Sequence, residues 1–257
     1  MNRIFSKLFI VFILLFNAVS LAEITSLNSA LRNKPPYYSI KNGQVSGIDY
    51  ELANIIFNKA GISLKYDTKH PVFWKEILNQ IETGKKDVIG DATDTLEREH
   101  WAFFTKAYRL DSHSIITKFA NKAPFSDATQ FINFIKLDKN LKFGIDRGYL
   151  YNSAEINKFI EHPGTTAIVI KDSPKELIEA LNNNKADYII LNTLTASQLL
   201  PKSGHYSIID IKAVAPVSFM LSKKTVTPEV IDKVNAAIDD SKKEINAIIT
   251  KYHAYGN

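Results

Sequence analysis

GKKDVIGDATDTLEREHWAFFTKAY, residues Gly84 to Tyr108, holds a helix stop, a buried strand and a polar turn in one run. Gly84 is a helix-ending glycine. Asp87-Val88-Ile89-Gly90 reads as a short buried strand, Asp91-Ala92-Thr93-Asp94 as a polar turn, and Thr95 as the start of a new helix with Arg98 in its first turn. Such a turn offers unpaired backbone N–H groups, hydroxyls and one guanidinium at a single point. That is the chemistry that holds a carboxylate: a planar fork of donors beside a helix start. On spacing alone, Thr95-x-x-Arg98 is a weak signal, and a capped helix with a surface arginine is the plainer reading.

Outward from that stretch, strand-like and helix-like segments alternate, which argues an α/β fold. Ile48 to Ala60 reads as an amphipathic helix closed by Gly61, followed by a strand over Ser63 to Tyr66. Trp74, Ile77, Leu78 and Ile81 form the apolar stripe of a second helix, stopped by Gly84. Beyond Tyr108, strands are expected over Ser114 to Lys118, Leu141 to Ile145, Ala167 to Ile170, Ala186 to Leu191 and Ser207 to Ile211. A helix is expected over Ala128 to Leu137, and helix starts at Asn152 with Glu155, Ser173-Pro174 with Glu176, Thr227-Pro228, and Ser241 with Glu244.

The 257 residues are 45% hydrophobic and 23% charged, the balance of an ordinary globular protein of one or two domains. Met1 to Lys7 carries Arg3 and Lys7, Leu8 to Phe16 is unbroken apolar, and Ser20-Leu21-Ala22 is a small-x-small site, so residues 1–22 read as a secretory signal peptide cleaved after Ala22. The apolar run is nine residues, well short of the roughly 20 that span a bilayer. With no cysteine, the chain has no disulfide, no thiol nucleophile and no lipid-anchored cysteine. An exported protein without an anchor implies a periplasm. The charge of +5 falls to +3 without Arg3 and Lys7, and the basic residues are scattered, so a nucleic-acid partner is not expected.

Three blocks together resemble the family 3 solute-binding proteins, the periplasmic receptors of polar amino acid ABC transporters. The first is Asp87-Val88-Ile89, Thr95-Leu96-Glu97-Arg98 and Phe104-Thr105-Lys106-Ala107-Tyr108. The second is Pro36-Tyr37-Tyr38 with Gly43, then Gly47-Ile48-Asp49-Tyr50-Glu51-Leu52-Ala53; the third is Val217 to Lys223 with closing helices ending at Lys251-Tyr252. The resemblance implies a two-lobed periplasmic-binding-protein-like fold of type II. Two crossover segments would join lobe 1, residues 23–109 plus 215–257, to lobe 2, residues 110–214. It also implies a monomer that closes by hinge motion on a small carboxylate-bearing ligand, an amino acid foremost, and delivers it to an inner-membrane ABC permease, with no cofactor.

Carried over residue by residue, Arg98 matches the carboxylate-binding arginine, and Thr93 and Thr95 the donors of its turn. Tyr37 or Tyr38, and Trp74, match the aromatics around the ligand side chain; core packing is the alternative for each. In the second lobe, Gly144 to Leu150 lacks the family's Thr-Thr pair, leaving backbone N–H groups near Gly148, with Arg147 as a substitute or a surface charge. Where the family places an aspartate for the ligand ammonium, this chain has the neutral Asn192. Asp91 either compensates as a carboxylate for a ligand cation or is a turn aspartate. An organic acid without an ammonium would tolerate Asn192 better than an amino acid would.

Two other readings share the resemblance. Some exported relatives dehydrate arogenate or prephenate, for which Asp91, Asp94, Glu97 and Asp111 are candidate acids with no spacing to single one out. A stand-alone sensor would use the same closed surface. No metal-ligand spacing links the histidines at 70, 100, 113, 162, 205 and 253, and there is no phosphate-binding glycine loop. The adjacent Asp111, Ser112 and His113 do not suggest a catalytic triad, which needs separate elements.

Overall fold

The computed structural model describes residues 23–118, 124–201 and 206–254. The signal peptide read over residues 1–22, and His205, lie outside the described residues. The chain opens with β1 (Ser26–Ser29) and a hairpin of β2 (Ser39–Lys41) and β3 (Gln44–Ser46). The hairpin turns on Asn42-Gly43, both left-handed at φ 51° and 74°, the backbone that a tight two-residue loop needs. Helix α1 (Ile48–Lys59) buries Leu52, Ile56 and Phe57 at helical spacing and leads to β4 (Ser63–Tyr66). Helix α2 (Trp74–Thr83) stops at Gly84, which is left-handed at φ 78°. Then come β5 (Val88–Ala92), the single turn α3 (Leu96–Glu99), β6 (Ala102–Phe104) and the long strand β7 (Arg109–Thr117). The second half continues with α4 (Ala128–Leu137), β8 (Lys142–Asp146), α5 (Ala154–Glu161), β9 (Ala167–Lys171), α6 (Pro174–Asn182), β10 (Tyr188–Asn192) and α7 (Thr193–Leu199). Strand β11 (Ser207–Ser222) returns the chain to α8 (Pro228–Asp240) and α9 (Lys242–Ala254).

The strands join in the order β4-β1-β5-β11-β7-β10-β8-β9, with β6 also on β11. β4, β1 and β5 are mutually parallel, as are β10, β8 and β9, while β7 and β11 run antiparallel to each other between the two groups. One core draws on residues between Leu27 and Tyr108 and between Val217 and Ile248. Two further clusters, from Ile115 to Ala213, cover the two faces of the sheet where β7, β10, β8 and β9 lie. Along β10, Tyr188 and Ile190 enter one of these clusters, and Ile189 and Leu191 the other. Burial on both faces explains the unbroken apolar run there.

Sequence reading and structure part in four places; in the first, β5 runs on through Asp91 and Ala92, which read as a turn, because pairing with β11 continues to Ala92. The strand expected at Ser114 begins five residues earlier, at Arg109, and the strand expected over Ser207 to Ile211 runs on to Ser222. These two cross between the cores, and pairing with each other satisfies their backbone groups in passing. Along the crossing, Arg109, Asp111 and His113 are buried while Leu110 is exposed. This inverts the usual alternation and hides the strand from hydrophobicity. Helix α5 is capped by Ser153, whose hydroxyl accepts from Ile156 N–H at 3.2 Å, rather than by Asn152, whose amide instead donates to Asp111 O at 2.9 Å.

Candidate functional site

Side chains at or just past the carboxyl ends of β1, β5, β8 and β10 meet between the two halves, where open α/β sheets place their ligands. From β1 come Arg32 and Lys34. The Arg32 guanidinium donates to Asp146 at the end of β8, Nη2 to Oδ2 at 2.8 Å, and both are buried. Lys34 Nζ lies 2.6 Å from Asp91 Oδ2 and 3.0 Å from Tyr149 Oη. It stands 4.9 Å from the Tyr37 ring centre and 4.8 Å from that of Tyr149.

Strand β5 aims Asp91 into this space through a bulge. Ile89 pairs with Met220 and Ala92 with Ser218, so β5 spends one residue more than its partner, a device that re-aims a side chain. Asp91 takes the left-handed conformation, φ 61°, with its N–H held by Tyr108 Oη at 2.8 Å. Gly90 beside it has no room for a side chain: a Cβ there would lie 2.8 Å from Tyr38 Oη and 2.9 Å from Tyr108 Oη.

Arg109 is the hub. It holds Asp49 through Nε and Nη2 at 2.7 and 2.9 Å, Asp91 Oδ1 at 2.7 Å and Asp111 Oδ1 at 3.2 Å. Burial opposes the Arg109 cation, but Asp49 and Asp111 outweigh it and hold the group well above its ordinary range. Burial likewise opposes the Asp111 anion, yet Arg109 and Lys34 keep its carboxyl low. Asn192 caps α7, its Oδ1 accepting from Leu194 and Thr195 N–H. The same Oδ1 accepts from Tyr37 Oη at 2.5 Å, and Nδ2 donates to Asp111 Oδ1. His113 lies edge-on to Tyr149 and Tyr151, and burial pushes it down to about 4 despite Asp111; it is therefore neutral at pH 7.

Arg98 differs from these cations. It is buried, Nη1 donates to Thr93 O at 3.0 Å, and its Cζ stands 5.8 Å from the Trp74 ring centre. Among the described residues it forms no ion pair within 4.0 Å, and burial lowers its pKa. Its backbone is set by Thr95, whose Oγ1 caps α3 by accepting from Arg98 N–H at 3.3 Å. Arg98 and Gly148, from opposite halves, line one cleft of about 840 Å³ with Trp101, Phe73 and Leu150.

Of the residues singled out in the sequence, Arg98 and Gly148 therefore share the open cleft. Trp74 is buried behind it, ringed by Arg98, Tyr149 and Arg32. Tyr37, Asp91 and Asn192 belong to the inner polar network, and Asp91 answers two cations of the chain itself. Tyr38 packs in the first core, with Thr93 and Thr95 at the rim. Arg32, Lys34, Arg109 and Tyr149 were not singled out by the sequence. Their signal was present: two basic residues close behind a buried strand, and a further one opening β7.

Buried polar atoms without a hydrogen-bond partner also gather here: Arg32 Nη1, Trp74 Nε1, Asp111 Oδ2, both nitrogens of His113, Asp146 Oδ1 and Thr195 Oγ1. Such orphans are costly in a folded interior and mark places built to meet something polar. Among the described residues, no group of acidic, histidine or cysteine side chains is arranged to hold a metal ion, and no helix is long and apolar enough to cross a membrane.

A profile of the bacterial extracellular solute-binding proteins, family 3, matches residues 27–255. The chain belongs to that family. Among curated proteins, none matches it. An ancestral arginine-binding protein bound to glutamine is 20% identical, with 91% of this chain and 100% of that one covered and a TM-score of 0.73. An amino acid ABC transporter substrate-binding protein from Streptococcus pneumoniae, bound to L-arginine, is 19% identical over 90% of this chain and 96% of its own, at 0.72. An ancestral amino acid-binding protein described as a precursor of cyclohexadienyl dehydratase is 18% identical over 89% and 95%, at 0.70. At such identities the likeness establishes the fold, the two-lobed α/β architecture of type II periplasmic binding proteins.

Proposed function

We propose that this family 3 protein is a non-enzymatic receptor, exported to the periplasm, that captures a small carboxylate-bearing solute and presents the closed form to an inner-membrane ABC permease. The lobes divide as residues 23–109 with 215–257, and 110–214, and close as a hinge on β7 and β11. The observation that carries the reading is Arg98, a buried guanidinium with one carbonyl partner, facing a cleft shared by both halves. A desolvated cation with no ion-pair partner in contact is expensive, and a ligand carboxylate relieves that cost through a bidentate contact. Gly148 N–H and Trp74 complete the grip from the other lobe and from behind. Helix α3 is a single turn, so the guanidinium and not a helix dipole supplies the field.

The dehydratase alternative needs a positioned general acid. Asp111 is locked as an anion by Arg109 and Lys34, and Asp91 is held by Lys34 and Arg109. Asp94 and Glu97 remain, both exposed at the rim. The test is a thermal-shift screen of the chain from Glu23 against the twenty amino acids, small organic acids, prephenate and arogenate. Ligand binding raises the melting temperature by mass action. A shift from a simple carboxylate with no chemical turnover supports the receptor; a shift from prephenate with product formed contradicts it.

A further inference from the structure

Lys34 sits in a complete ammonium site. Its Nζ is bonded to the Asp91 carboxylate at 2.6 Å and to Tyr149 Oη at 3.0 Å. Two tyrosine faces, those of Tyr37 and Tyr149, lie within 5 Å of it. A carboxylate beside paired aromatic faces is the chemistry that receives a ligand ammonium. Asp91, Tyr37 and Lys34 come from one half and Tyr149 from the other, so the occupied site bridges the two halves within the buried polar network. Two further carboxylates of the inner network are also answered from within: Asp146 by Arg32, Asp111 by Arg109 and by the amide of Asn192. Arg109 is shared among Asp49, Asp91 and Asp111, and the second oxygens of Asp111 and Asp146 stay without a hydrogen-bond partner.

We propose that Lys34 is a built-in occupant of an ammonium site between the two halves, and that it selects carboxylate ligands lacking an amino group. This rests on the receptor reading above and narrows its ligand class. A ligand carboxylate finds Arg98 unpaired. A ligand ammonium reaches Asp91 only by displacing Lys34, stranding that buried charge. Asn192 accords with this, because its Oδ1 is already accepting from Tyr37 Oη and two backbone N–H groups. The selection works by occupying Asp91, the carboxylate beside the two tyrosine faces, a form of discrimination against the wrong ligand.

The experiment uses matched pairs, each amino acid with its deaminated counterpart: aspartate with succinate, glutamate with glutarate, alanine with propionate. Calorimetric titration of the chain from Glu23 is expected to show the deaminated member binding at least tenfold tighter in each pair that binds. In Lys34→Ala the amino acid member should gain at least tenfold. A separate arm needs no ligand: methylammonium chloride should raise the melting temperature of Lys34→Ala above a potassium chloride control, with no such rise in the wild type. If Lys34→Ala fails to fold, Lys34→Gln carries the titration readout. Tighter binding of the amino acid member to the wild type overturns the selectivity and leaves the receptor standing. No methylammonium effect in folded Lys34→Ala overturns the ammonium site. Methylammonium rescue with no carboxylate bound by either protein keeps the ammonium site and removes the receptor reading beneath it.

Discussion

At the scale of single residues, two positions have consequences that can be measured. Gly90 is enclosed by Tyr38, Tyr108 and Phe219, so Gly90→Ala forces a methyl into a filled core and disturbs the bulge that aims Asp91. Overpacking of this kind costs about 1–3 kcal/mol, to be read from urea denaturation; a loss below about 0.5 kcal/mol would contradict this packing. His113 folds neutral, pushed down to about 4, while in the unfolded chain it titrates near 6.5. Between those values the unfolded chain binds more protons, so stability is lost as pH falls from about 6.5 to 4. The loss is of order 3 kcal/mol, and Asp111, whose carboxyl is held low, adds its own below about pH 4. His113→Phe should flatten the upper part of that slope; an unchanged slope would remove His113 as its source. The turn that carries Arg98 was legible in the sequence because its cap is local. Arg32 and Lys34 were not, because their partners Asp146, Asp91 and Tyr149 are 114, 57 and 115 residues away.

At the scale of elements, helix starts with reciprocal side chains were readable. Ser173 caps α6, accepting from Glu176 N–H and donating to Glu176 Oε1, both at 3.2 Å, the box that Ser-Pro-x-Glu announces. Ser173→Ala should lower stability by about 1 kcal/mol, measured by thermal or urea unfolding; no change would mean the cap is redundant with Pro174. The same logic misplaced the start of α5 by one residue, since nothing local says that Asn152 is drawn away to Asp111 O. The crossing part of β7 was missed for a deeper reason. Its inward face carries Arg109, Asp111 and His113, and a strand that buries charge cannot be found by looking for apolar alternation. Where that inversion occurs, the interior is a polar site rather than a core.

At the scale of the whole molecule, the two-lobed architecture was legible through family resemblance more than through any linker, because the joints are strands. The halves are held against each other by buried polar contacts: Arg32 with Asp146, Lys34 with Tyr149, and Tyr37 with Asn192. Removing one member of a buried pair strands the other, and a hinged molecule escapes that cost by opening. Asp146→Ala should therefore enlarge the radius of gyration in X-ray scattering of the unliganded protein; a radius identical to wild type would show that this pair does not hold the lobes. The role proposed for Arg98, receiving the carboxylate of a small ligand, is read by titrating wild type and Arg98→Ala with the best ligand of the screen. Loss of a buried charge-assisted contact of about 3 kcal/mol predicts roughly hundredfold weaker binding, with a melting temperature no lower than wild type, because an unpaired buried cation has been removed. Near-wild-type affinity in a folded Arg98→Ala would contradict the account.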